Sequence, residues 1–138
     1  ETDPQGYQMK EEEISRIIEE GKEKTKLCYA PYSKIRVVAA LDTDKGRFWG
    51  VNIENASYGL TICAERVAIF NAIVNGAKKM ERIYVLSPDT KPVPCGACLQ
   101  VMCEFADDEF EVVVIHIREP PQVEKYRLKE LFPKKFRL

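Results

Sequence analysis

Three cysteines constrain this chain more than any other feature. Cys63 opens the segment Cys63-Ala64-Glu65-Arg66, and Cys95 and Cys98 sit in Pro94-Cys95-Gly96-Ala97-Cys98. Both segments read as helix starts, with a strand between them. The C-x-x-C spacing lets two sulfurs reach one metal from a single helical turn, and Cys63 can supply a third. Zinc in catalytic sites takes three protein ligands and leaves a fourth position for water. Helix N-termini favour thiolates through the macrodipole and free N–H groups. Pro94 suits the entry to such a turn, and Gly96 permits close backbone approach. Glu65 lies two positions beyond Cys63, off its helical face but beside the open metal position. There it can shuttle protons between water and a substrate. A C-x-x-C alone also fits a redox pair or a closed structural zinc site. With three clustered cysteines and no nearby His as fourth ligand, an open, catalytic site is the stronger reading.

Composition narrows the rest. A chain of 138 residues with 45% hydrophobic and 31% charged residues is globular and of single-domain size. A net charge of −1 leaves no basic excess for gripping nucleic acid. Five cysteines, an odd number at uneven spacing, make a poor disulfide framework and suit a reducing cytoplasm. No apolar run reaches the roughly 18 residues needed to span a bilayer. Residues 1–8 (ETDPQGYQ) carry no signal-peptide pattern and read as a leader before Met9, leaving 9–138 as one domain.

Along the chain, Lys10 to Cys28 has a helical apolar stripe, and Ala30-Pro31 ends it. Ile35 to Leu41 and Arg47 to Ile53 read as a hairpin about Asp42–Gly46. Cys63 to Val74 reads as a helix with Ile69, Phe70, Ile73 and Val74 in the core. Arg82 to Ser87 is a strand, Pro88 to Pro94 a loop and Gly96 to Phe105 a helix. Phe110 to Ile117 is a central strand and Val123 to Arg127 an edge strand. Leu128 to Phe132 is a helical turn. This order implies one sheet covered by helices. Cys28, Cys103 and His116 read as core residues.

With these motifs in place, the chain resembles the small cytidine deaminases of the zinc deaminase superfamily. The resemblance is carried by C-A-E and P-C-G-A-C, in a three-cysteine form. It extends to Tyr29–Ser33, to Val51-Asn52-Ile53-Glu54-Asn55-Ala56-Ser57-Tyr58, and to Leu131-Phe132-Pro133 with Phe136. It implies an α/β fold, a three-layer α/β/α sandwich around a five-stranded mixed sheet. It implies Zn2+ on Cys63, Cys95 and Cys98, and water attack at C4 of cytidine or deoxycytidine with Glu65 moving the protons. Asn52 and Glu54 are implied to bind the ribose hydroxyls. The Ala64 backbone is implied to read the pyrimidine edge, and Phe136 to stack on the base in a neighbouring subunit of a homotetramer. Arg66 is similar to a family arginine that offsets the thiolate charge. Ile35 stands where the family commonly has Phe, implying an aliphatic contact to the base. Val38 and Leu99 stand where Gly and Arg are common. The expected partner is a nucleoside, with no nucleic acid and no membrane. The alternatives are a deaminase of another aminated heterocycle or modified nucleoside, which Asn52 and Glu54 oppose, and an impaired zinc-binding homologue, which Glu65 opposes.

Overall fold

Residues 11–138 are described by a computed structural model; the expected leader, 1–8, lies outside them. Helix α1 (Glu11–Thr25) begins with Glu11, Glu12 and Glu13 and ends with Lys22 and Lys24 in its last turn, so its charges oppose the macrodipole. Strands β1 (Val38–Thr43) and β2 (Gly46–Val51) form the expected hairpin. Gly46 closes its turn at φ 103°, where a side chain would be strained. Helix α2 (Ala64–Val74), β3 (Met80–Ser87), α3 (Gly96–Phe105), β4 (Glu111–His116), β5 (Gln122–Arg127) and the short α4 (Leu128–Leu131) follow.

The strand order is β2-β1-β3-β4-β5. The β3–β4 pair is parallel, with α3 in the crossover, and the other pairs are antiparallel. This is the expected five-stranded mixed sheet. Its side chains alternate between two apolar layers. Leu41, Ile83, Val85 and Val112 pack with Ala68, Ile69 and Met102 of α2 and α3. Ala40, Tyr84, Leu86 and Val113 pack with Ile17 and Ile18 of α1. The period-2 pleat thus buries both faces of the central strands.

Four sequence readings need correction. Residues 35–37 do not join β1. Lys34 takes φ 62°, and the Asn52 side chain captures Ile35 O (2.8 Å) and Val37 N–H (3.0 Å). Phe70 and Val74 are exposed, not core. Helix α2 is apolar on most of its circumference, so periodicity could not say which face turns inward. His116 is half-buried at the end of β4 rather than inside the core. Cys28 is also only half-buried, with its thiol against Val37 O at 3.3 Å, whereas Cys103 is buried as expected.

Helix α2 presses directly on β2 at Gly50. A Cβ there would lie 2.3 Å from Ala64 O and 2.4 Å from Ala68 N, both backbone atoms that cannot swing aside. Gly50→Ala is therefore expected to destabilise the fold by about 3 kcal/mol, the upper end of overpacking costs. A urea midpoint equal to that of the wild type would show that α2 can retreat freely.

Candidate active site

Two helix starts bring the cysteines together. Cys63 caps α2 with extended backbone (φ −74°, ψ 151°), and Cys95 caps α3 likewise (φ −76°, ψ 169°). Their carbonyls accept the first helical hydrogen bonds, Cys63 O from Arg66 and Val67 N–H and Cys95 O from Leu99 N–H. Neither side chain makes a capping bond, so both sulfurs are turned to other use. Cys98 lies in the first turn of α3, fully buried.

The Cys63 and Cys95 sulfurs are 3.9 Å apart, and those of Cys95 and Cys98 are 3.7 Å apart. All three lie within 4.8 Å of one another. A tetrahedral zinc with Zn–S bonds of about 2.3 Å requires sulfurs about 3.8 Å apart. The donor set and spacing therefore fit zinc. Among the described residues, no fourth His, Cys, Asp or Glu belongs to the cluster, so the protein leaves one coordination position unfilled.

Charge is arranged around these sulfurs. Arg66 Nη2 donates to Cys63 Sγ at 3.5 Å. Arg66 Nε is buried with no hydrogen-bond partner among the described residues, which suits a guanidinium held against anionic sulfur. The Cys63 thiol is pulled down to about 5, first by the Cys98 thiol that hydrogen-bonds to it and then, against burial, by Arg66 and Cys95. Cys98 is pushed up by the same contact and by burial. Arg66 is held above its ordinary value, chiefly by its bond to Cys63. Burial pushes the Glu65 carboxyl up to about 7, and the Cys63 charge adds to the rise.

A cavity of about 340 Å³ opens beside the cluster, lined by Cys63, Ala64, Glu65, Cys95, Val37 and Asn52 among others. A neighbouring cavity of about 390 Å³ holds Glu54 with Tyr32, Ser33 and Tyr58, and Thr61 borders both. Glu54 accepts hydrogen bonds from Tyr32 N–H (2.9 Å), Ser33 N–H (3.1 Å) and the Ser33 hydroxyl. These bonds, led by the hydroxyl, hold its carboxyl below the usual range. Ile35 is 40% exposed and lies outside the lining of the cavity beside the cysteines, where Val37 is found instead. Phe136 is exposed, its carbonyl held by Gln100 Nε2 at 3.0 Å. Val38 is buried in β1, and Leu99 packs into the apolar layer beneath α3.

Known proteins resemble this chain in sequence and in fold. The family described as "Cytidine and deoxycytidylate deaminase zinc-binding region" matches residues 11–115. The chain belongs to this family. A probable cytidine deaminase of Dictyostelium discoideum is 46% identical over 110 residues, covering 78% of this chain and 74% of that one. The cytidine deaminase of Sporosarcina psychrophila is 36% identical over 126 residues, with 90% and 91% covered. The crystal structure of cytidine deaminase from Burkholderia pseudomallei superposes with a TM-score of 0.80 at 39% identity, covering 93% of this chain and all of that one.

In this member of the family, part of the cleft wall carried no signal that sequence reading used. Thr90, Lys91, Pro92 and Val93, from the loop before α3, line the cavity together with Val37 and Asn52. The available hint was the three prolines spread over residues 88–94, which mark a constrained loop before Cys95.

Proposed function

We propose that the chain is a cytidine deaminase, converting cytidine or deoxycytidine and water to the uridine counterpart and ammonia. The observation that carries this reading is a zinc-compatible three-sulfur cluster with a buried carboxyl, Glu65, at the wall of the same cavity. Cys63, Cys95 and Cys98 would hold zinc, which when bound would supply activation of water at neutral pH. Glu65 takes one proton from the attacking water and gives it to N3, then takes the remaining proton of the oxygen added at C4 and gives it to the departing amino group, which leaves as ammonia. A carboxyl poised near neutrality can do both. Arg66 offsets the sulfur charge. The backbone at Ala64, the first residue of α2, faces the polar edge of the pyrimidine, where helix N–H groups lack intrahelical partners.

Asn52 and Glu54 are assigned to the ribose hydroxyls. Each keeps capacity after its internal bonds: Asn52 Nδ2 retains one N–H, and the Glu54 carboxylate retains a lone-pair site. The reading treats 9–138 as one catalytic domain that works as a cytoplasmic homotetramer. In it, Phe136 stacks on the base in a neighbouring subunit, and Ile35 gives the base an aliphatic contact. Exposed Tyr58, Leu60, Phe70, Val74 and Phe136 offer apolar surface for such contacts, and five free thiols suit a reducing compartment. No helix among the described residues is long and apolar enough to cross a membrane.

The test is ammonia release by zinc-loaded protein from a panel of cytidine, deoxycytidine, adenosine and base-modified cytidines. Cytidine or deoxycytidine should head the panel. Turnover confined to another aminated base would replace the assignment.

A further inference from the structure

Two neighbouring segments contribute to the lining of the cavity beside the cysteines. One is residues 34–37, pinned by Asn52 at Ile35 O and Val37 N–H, of which Val37 lines the cavity. The other is residues 88–94, whose Thr90, Lys91, Pro92 and Val93 form cavity wall. Pro88, Pro92 and Pro94 have no N–H to give, so a ladder cannot fix this wall. Among the described residues, the backbone bond recorded inside it runs only from Val93 N–H to Lys91 O.

Side chains fasten it instead. Asp89 Oδ2 accepts from Arg36 N–H at 2.9 Å and Arg36 Nε at 3.0 Å, while Oδ1 accepts from Arg36 Nη2 at 3.0 Å. The Ser87 hydroxyl donates to Arg36 O at 2.6 Å and accepts from Asp89 and Thr90 N–H. Arg36 is thus gripped at its carbonyl, its amide and its guanidinium, in a segment that Asn52 already holds from the other side.

We propose that Asp89, through its forked pair with Arg36, is a positioning residue that fixes Thr90–Val93 at the separation from Val37 and Asn52 that the nucleoside requires. The proposal deepens the deaminase reading and rests on it. Asp89 does not itself line the cavity, so it acts through the residues that follow it. Its pair is 46% and 25% exposed at Arg36 and Asp89. Exposed ion pairs add little net stability, so losing this one should leave the fold intact. Small displacements of groups that hold a substrate are costly, however. Lys91 Nζ provides a second tether, to Glu124 at 2.7 Å, so the loss should be partial.

The experiment uses zinc-loaded full-length chains carrying Asp89→Ala, Arg36→Ala or Asp89→Asn. Both alanine variants should exchange the amide hydrogens of residues 89–93 about 10-fold faster than wild type, without a matching change in the central strands. Their KM for cytidine should rise about 10-fold while kcat changes far less, because positioning rather than proton transfer is lost. Asp89→Asn keeps an acceptor for the Arg36 amide and should fall between. Wild-type exchange across 89–93 in the alanine variants would overturn the proposal, as would equal loss of kcat and kcat/KM at unchanged KM. A wild-type protein inactive on cytidine would sink the deaminase reading, and the exchange comparison would then decide the tether by itself.

Discussion

Glu65→Gln should lower ammonia release from cytidine by about 10²- to 10⁴-fold, the usual worth of a positioned general acid–base. Gln has the shape of Glu, so the substitution removes proton exchange without changing packing. Glu65 is only 4% exposed and faces the cavity next to Cys63. Its carboxyl is pushed up to about 7 by burial, which places both of its protonation states within reach at neutral pH. Because its oxygens are not among the clustered ligand atoms, zinc content should stay at the wild-type level. KM should change much less than kcat, since the lost interaction belongs to the transition state. Single-turnover measurements on metal-matched protein check the result. Retained turnover at full zinc loading would remove Glu65 from the reaction.

The residues that carry this prediction were legible in the sequence because their geometry is local. C-x-x-C fixes two sulfurs within one turn, and Cys63 and Glu65 share a helix start, so little tertiary information was needed. The sheet was legible for a similar reason: runs such as Val112–Ile115 are buried on both faces and leave no other element to form. What stayed hidden depends on contacts between distant segments. Asp89 meets Arg36 from 53 positions away, and no local pattern encodes that meeting. Ile35 and Val37, β-branched and two apart, fit a strand pattern, but the Asn52, Ser87 and Asp89 side chains hold the backbone polar groups of this segment. Phe70 and Val74 looked like core because a helix apolar on most of its circumference does not say which side faces a sheet and which is left for another surface.

Cys95→Ala should abolish stable zinc binding and, with it, detectable deamination, while the folded chain survives. Cys95 is the cluster member best suited to separate metal loss from core damage. It is exposed, whereas Cys98 is fully buried among apolar side chains, where truncation would also open a cavity. As N-cap of α3, Cys95 contributes its carbonyl to Leu99 N–H and no side-chain capping bond, so Ala keeps what the helix uses. The metal-free variant should therefore match the metal-free wild type within about 0.5 kcal/mol, as surface substitutions do. The two should part when zinc is added. A ligand bound only by the folded state raises the unfolding midpoint with its concentration, so wild type should gain stability and Cys95→Ala should not. Thermal melts with zinc and with chelator, paired with metal analysis after dialysis, read both arms. A variant that retains one zinc per chain would mean that Cys63 and Cys98 hold the ion without it, and the three-sulfur centre would have to be redrawn.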